Sequence, residues 1–116
     1  MIKRIQPGKR MSQAVIHGDT VYLAGQVAED PKASIQDQTR SVLSKVDALL
    51  TEAGSSKSDL ISITVYLSNI TDFATMNEVY DAWIDQANPA TRACVEARLA
   101  SPDLRVEVVA IAAKRS

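Results

Sequence analysis

The feature that most constrains the fold is a strand pattern lying between two helix patterns. In residues 34–53, apolar side chains recur at three- and four-residue steps, as on one face of an amphipathic helix. Residues 72–85 repeat this spacing, and residues 59–68 between them alternate apolar and polar side chains as a strand does. Because strands separated by helices need crossover connections, this order predicts a mixed sheet with both helices on one face.

Punctuating residues mark the ends of the remaining elements. Ser34 is suited to the N-cap of the first helix and Gly54 to its C-terminal end, while Thr71 or Asp72 is expected to cap the second helix. Residues 13–26 are predicted to form a hairpin turning at 18–19, with a short strand at 1–5 before it. Residues 91–98 and 105–113 are predicted to be the last two strands, joined by a turn at 101–103. The open face of this sheet carries enough apolar side chains to predict burial against another subunit.

Length, charge and cysteine content exclude several classes of protein. A chain of 116 residues fits one domain, predicted to span 1–116, and its net charge of −1 argues against a nucleic-acid binder. The single cysteine, Cys94, allows no intrachain disulfide, and with one histidine it allows no ordinary zinc site. No apolar run approaches a membrane span, and the N-terminus lacks the apolar core of a signal peptide. We therefore expect a cytoplasmic protein with no membrane, metal or nucleic-acid partner.

Arg92 is the first candidate for chemistry. Strand alternation places it on one face with Cys94 and Glu96, and the opposite face, with Ala93 and Val95, is expected to pack against a helix. A guanidinium at this position is able to form a bidentate pair with a substrate carboxylate. An ordinary surface arginine is the alternative, and position alone favours it.

Glu107 is the second candidate, because it interrupts the apolar final strand. Every second residue of that strand from Val106 to Ala112 is expected to lie in the core. Burying a carboxylate is unfavourable unless it is paired or hydrogen-bonded. Periodicity favours an ion pair with Arg92, Arg98 or Arg105, and the alternative is a carboxylate that positions a water molecule. A hairpin of the last two strands would place Arg92 and Glu107 on one face.

The segment PATRACVEARLASPDLRVEVVAIAA, residues 89–113, resembles the C-terminal signature of the Rid (YjgF) family. The matching elements are Arg92, Cys94 and Glu96, then a short turn, then Glu107 between two valines. Residues 22–26, YLAGQ, resemble the family's strand that ends in small-Gly-Gln, and residues 72–77, DFATMN, resemble the opening of its second helix. The similarity extends over nearly the whole chain.

This resemblance implies an α+β subunit of the chorismate-mutase-like type, with a mixed six-stranded sheet and two helices on one face. It further implies a homotrimer with a barrel-like core of inward-facing sheets and clefts between subunits. The implied activity is hydrolytic deamination of reactive 2-imino acids, such as 2-iminopropanoate and 2-iminobutanoate, to 2-keto acids and ammonia without a cofactor. A trimer that binds a small carboxylate without turning it over is the alternative, and ribonuclease activity has the least support.

The resemblance also assigns roles to individual residues. Arg92 would hold the substrate carboxylate and Glu107 the attacking water, with the backbone at Gly25 and Cys94 contacting polar atoms of the substrate. The chain departs from the family's deaminases at two positions of the same predicted site. Met11 stands where those proteins have tyrosine, and Ala24 stands where many have serine, so two hydroxyl groups are missing.

Overall fold

The structure is a computed structural model, and it describes residues 1–115. The helices are α1 (Ile35–Glu52) and α2 (Phe73–Trp83), with short 3₁₀ turns before β5 and before α2. The strands, in chain order, are β1 (Ile2–Pro7), β2 (Ser12–His17), β3 (Thr20–Leu23), β4 (Gln26–Val27), β5 (Leu60–Leu67), β6 (Thr91–Glu96) and β7 (Val106–Ala113).

The strands form one mixed sheet in the order β1-β2-β3-β7-β5-β6, in which β4 also pairs with β7. Only β5 and β6 run parallel, and α2 makes the crossover between them. β3 and β4 are consecutive segments that pair with the same side of β7, because Tyr22 lies opposite Ile111 and Val27 lies opposite Glu107. The pairing shifts by one residue at Ala24 and Gly25, which form a bulge. The predicted α+β fold is therefore confirmed, with the third of the six predicted strands broken in two.

The hydrophobic core lies between one sheet face and the helices. Along β7, alternate side chains are buried as predicted, and α1 packs on this strand while α2 packs on α1. The α1 side chains that face the sheet include Val42, Val46 and Leu50, all fully buried. Helix boundaries follow the predicted signals, since Ser34 Oγ accepts a hydrogen bond from Asp37 N at 3.1 Å and Gly54 adopts a φ of +80°. Among the described residues, neither helix has the length and apolar character needed to cross a bilayer.

The opposite sheet face is open and partly apolar. Tyr22 is 45% exposed and Val95 is 42% exposed, and half-buried Val15, Val109 and Ile111 lie on the same face. This composition agrees with the expectation that the face packs against another protein surface.

The predicted hairpin of the last two strands is wrong. β5 lies between β6 and β7, because α2 carries the chain across the helix face before β6 begins. Arg92 lies opposite the buried Ile63 and therefore faces the helices, whereas Glu107 lies opposite Tyr66 on the open face. Arg92 and Glu107 do not share a face.

The same pairing corrects two smaller expectations. Ala93 and Val95 lie on the open face and do not pack against a helix. Ile61 is exposed because the register shifts between Leu60 and Ser62, which turns Leu60 into the core in its place. Phe73 belongs to the apolar pattern of residues 72–85 from which the second helix is predicted, but it is 41% exposed and lies outside the buried face of α2, which Met76, Val79 and Tyr80 form.

Candidate functional site

The side chain of Arg92 is held by one face of α2. Its Nη1 donates a hydrogen bond to Asn77 Oδ1 at 2.6 Å. The guanidinium carbon lies 4.7 Å from the ring centre of Tyr80 and 5.7 Å from that of Phe73. These three α2 residues share a face because they are spaced four and three residues apart. They fix the direction of the guanidinium, a role that no local sequence pattern indicates.

The guanidinium of Arg92 has no carboxylate partner within residues 1–115. Glu96, four residues farther along the strand, instead accepts a hydrogen bond from Ile70 N at 2.9 Å. The ion pairs within residues 1–115 are Arg40–Asp37, Lys45–Glu29, Arg105–Asp72 and Arg115–Asp59, and Arg92 belongs to none of them. An oriented, half-buried guanidinium without a carboxylate partner is suited to bidentate contact with a small anion.

Cys94 lies on the same face as Arg92, two residues along β6, and is half-buried. Burial raises the pKa of its thiol, and the charge of Arg92 offsets only part of that effect. The thiol is therefore protonated at neutral pH, whereas a nucleophilic cysteine would need to be a thiolate. The geometry agrees with a supporting role for Cys94.

We expect the Cys94→Ala variant to remain active. Because the protonated thiol is a weak nucleophile, the loss in kcat should be less than about tenfold, whereas loss of an essential nucleophile costs several orders of magnitude. Iodoacetamide should also modify the wild-type thiol more slowly at pH 7.5 than it modifies free cysteine. Complete inactivation of a folded Cys94→Ala protein would contradict this assignment.

Glu107 packs directly on the bulge at Gly25. A Cβ atom on Gly25 would overlap Glu107 Oε2 and would lie 3.3 Å from its Cγ. Glycine leaves room here for the Glu107 carboxylate, which occupies the space that a Cβ atom at position 25 would take. Within residues 1–115, Glu107 makes no ion pair, and Arg105 is paired with Asp72, so the interpretation of Glu107 as a salt-bridge partner is wrong for the described chain.

Substitution of Gly25 by alanine should move the Glu107 carboxylate without unfolding the protein. The overlapping atoms belong to the end of a flexible side chain, which can rotate away. We expect a change in Tm of only a few degrees and at least a tenfold loss of activity, measured by thermal denaturation and by the imine assay described below. Gly8→Ala is the matched control, because its Cβ would meet only the Met11 carbonyl oxygen at an ordinary 3.5 Å. Equal activities of the two variants would argue against a role for the Glu107 position.

Ala24 and Met11 lie around the same bulge. Ala24 N donates to Gln13 O at 2.8 Å, which ties the bulge to β2. Met11 comes just before β2, two residues from Gln13, and is 48% exposed. The predicted site residues Ala24, Gly25, Met11 and Glu107 thus form one group, which we call the bulge group. Arg92 and Cys94, with the α2 residues around Arg92, form a second one, the guanidinium group.

The two groups do not meet within one chain. They lie on opposite faces of the sheet, and β5 separates their strands, so the backbones of β6 and β7 are about 10 Å apart. A cavity of about 430 Å³ between α1 and α2, lined by Leu43, Asp47 and Trp83 among others, reaches neither group. In the described part of the chain, no group of three or more His, Cys, Asp and Glu side chains is placed to hold a metal ion.

Residues 1–114 match the family model described as Endoribonuclease L-PSP. A RutC family protein of Haemophilus influenzae is 41% identical over 112 residues, which cover 96% of this chain and 97% of that protein. The RutC family protein YoaB of Escherichia coli is 38% identical and covers 97% of each chain. An E. coli protein named "Putative reactive intermediate deaminase TdcF" is 38% identical over 88% of this chain and 84% of its own length.

Solved structures agree with these relatives. A member of the YjgF protein family from Neisseria meningitidis superposes with a TM-score of 0.97 at 39% identity, covering 100% of this chain and 97% of that one. A structure of an uncharacterized protein from Pseudomonas aeruginosa gives a TM-score of 0.96 at 41% identity, covering 99% and 100%.

The fold and the two groups define an α+β protein in which, over residues 1–115, the helices cover one face of the sheet. The chain belongs to the Rid (YjgF) family, as the resemblance of residues 89–113 predicts.

Proposed function

We propose that the protein hydrolyses reactive 2-imino acids of the 2-iminopropanoate and 2-iminobutanoate class to 2-keto acids and ammonia. The observation that carries this proposal is the oriented guanidinium of Arg92, which has no anionic partner in residues 1–115. A 2-imino acid presents a carboxylate next to its reactive carbon, so one bidentate contact would fix both the anion and the position of that carbon.

The chemistry needs a water molecule and proton transfers, and carboxyl groups are suited to both. Water adds to the imine carbon and forms a carbinolamine; its C–N bond then breaks, so that ammonia leaves and a carbonyl group remains. Glu107 is the proposed group that orients the water, accepts its proton and passes it to the substrate nitrogen. The hydroxyl proton of the carbinolamine follows to the same nitrogen as ammonia leaves and the carbonyl group forms. The backbone N–H of Gly25, next to the Glu107 carboxylate, is a proposed donor to the polar atoms of the substrate. The reaction as proposed uses no cofactor and no metal.

Both groups are needed for this chemistry, and we propose that two copies of the chain supply them. The guanidinium group of one copy would face the bulge group of its neighbour in an intersubunit cleft. The half-exposed apolar open face supports an assembly in which these faces pack together, and a homotrimer with a barrel-like core is the proposed form. We further propose a cytoplasmic location, which fits the lone unpaired Cys94.

The name of the relative TdcF supports the deaminase proposal, since that protein is 38% identical to this chain. The alternative is a trimer that binds a small carboxylate without turning it over. Its specific support is the absence of hydroxyl groups at Met11 and Ala24 in the bulge group. Ribonuclease activity, which the description of the family model suggests, is disfavoured by the net charge of −1.

The decisive experiment follows the disappearance of 2-iminobutanoate, generated in solution by an amino-acid oxidase, with and without the protein. Acceleration over the spontaneous reaction is expected, with 2-oxobutanoate and ammonia formed in equal amounts. Calorimetric binding of 2-oxobutanoate without any acceleration would favour the binding trimer. Light scattering at micromolar concentration should give three times the 12.6 kDa mass of the chain, and a monomer would contradict the shared cleft.

A further inference from the structure

The side-chain amide of Gln26 is buried beside the bulge. The residue is 7% exposed and lies opposite Val108 in the ladder, on the helix side of the sheet. Its Nε2 donates to the Ala24 carbonyl oxygen at 3.0 Å and to Gln13 Oε1 at 3.1 Å. A buried amide usually satisfies a backbone group that has lost its partner, and here that group is the carbonyl of a bulge residue.

The hydrogen bond to Ala24 fixes the peptide unit that joins Ala24 to Gly25. In a planar trans peptide the C=O and the N–H point in opposite directions. Because Gln26 holds the Ala24 carbonyl from the helix side, the N–H of Gly25 is directed away from the helices, toward the side on which Glu107 lies. No hydrogen bond from this N–H to another residue is found in residues 1–115.

A second contact anchors the other end of the short strand β4. Lys45 of α1 donates from Nζ to the carbonyl oxygen of Val27 at 2.8 Å and lies 3.2 Å from Glu29 Oε2. With β4 held on both sides, the orientation of the peptide between Ala24 and Gly25 depends on the amide of Gln26. A side chain that could not donate would leave this peptide free to rotate.

We propose that Gln26 is a positioning residue of the imine site, holding the Ala24 carbonyl so that the Gly25 N–H faces the reacting group. This inference rests on the proposed function. Gln26 contacts no reacting atom and acts only through the bulge. The Gly25 N–H would donate a hydrogen bond at the reacting centre, whereas Arg92 would bind the carboxylate. Substitution of Gln26 and substitution of Arg92 should therefore affect different kinetic constants.

The test compares Gln26→Met with the wild type in the imine assay. Methionine keeps the length of the side chain and removes the donor. We expect kcat to fall by about 10- to 100-fold, with KM changed by less than about threefold, because the misdirected N–H no longer stabilises the transition state. In a ¹⁵N-labelled sample, the Gly25 amide resonance should shift, and its hydrogen exchange should be faster than in the wild type.

Ser55→Ala is the matched control. Ser55 is also buried, and its Oγ donates to the Ala113 carbonyl oxygen at 2.6 Å, at the end of β7 remote from Glu107. This variant should lose comparable thermal stability and keep wild-type kcat. If Gln26→Met does not fold, Gln26→Asn replaces it, since asparagine keeps the amide but is one methylene too short to reach Ala24.

The outcomes separate this inference from the proposed function. An active wild type together with a folded Gln26 variant whose kcat equals that of Ser55→Ala would overturn the positioning role. An inactive wild type would overturn the proposed function and with it the catalytic part of the inference, and the Gly25 amide would then decide whether Gln26 orients the bulge. An unchanged Gly25 resonance and exchange rate in Gln26→Met would reject the inference in either case.

Discussion

Arg92→Ala is expected to lower kcat/KM for 2-iminobutanoate by about a thousandfold. Two charge-assisted hydrogen bonds to a carboxylate contribute roughly 3–6 kcal/mol, and each 1.4 kcal/mol corresponds to a factor of ten. Arg92→Lys keeps the charge but loses the planar fork and its stacking on Tyr80, so its loss should be intermediate. The measurement is steady-state imine hydrolysis with both variants.

Arg40→Ala is the control for this prediction. Arg40 lies on α1 in an exposed pair with Asp37 and contacts neither group of the proposed site. The activity of the Arg40→Ala variant should equal that of the wild type. Wild-type activity in Arg92→Ala would reject the assignment of Arg92 as the carboxylate-binding residue.

Mixing two inactive variants should restore activity. Each cleft is proposed to combine Arg92 of one subunit with Glu107 of the next. An assembly made only of Arg92→Ala chains, or only of Glu107→Gln chains, would therefore contain no intact cleft. Unfolded together in equal amounts and refolded, they should recover about a quarter of the wild-type rate, because each cleft draws its two halves at random from the mixed pool. Each variant refolded alone is the control.

Absence of recovered activity would indicate a cleft built from a single chain. If one chain supplied both residues to the same cleft, every cleft in the mixture would carry one defect, and no activity would return. The structure already places the two residues on opposite faces of one sheet, so recovery is the expected result.

The fold was predictable because each element carries its own local signal. The periodicity of residues 34–53 predicted α1, and Ser34 and Gly54 marked its ends. Pairing order was not predictable, because the sequence does not state which strand lies beside which. A strand that follows a helix can return to either edge of the sheet, and the assumption that adjacent strands form a hairpin misplaced Arg92 relative to Glu107.

The candidate site was predictable in its residue types and not in its contacts. Glu107 stood out because a carboxylate in an apolar strand is rare. The residues around Arg92 did not, since Asn77 and Tyr80 look like ordinary members of a helix until the strand beneath them is known. Thr71 or Asp72 was expected to cap α2, and Asp72 does stand at its N-cap position. Its carboxylate makes no capping hydrogen bond, however, and accepts two hydrogen bonds from Arg105, 33 residues away, a contact that no local pattern reveals.

The placement of the guanidinium group and the bulge group on opposite faces has a consequence for mixed populations of chains. In the proposed ring of three, every chain serves two neighbouring reaction centres at once. A chain damaged at both Arg92 and Glu107 would therefore disable two centres when it joins two sound chains. A minority of defective copies, whether from mutation or from chemical damage, would then reduce activity out of proportion to their number.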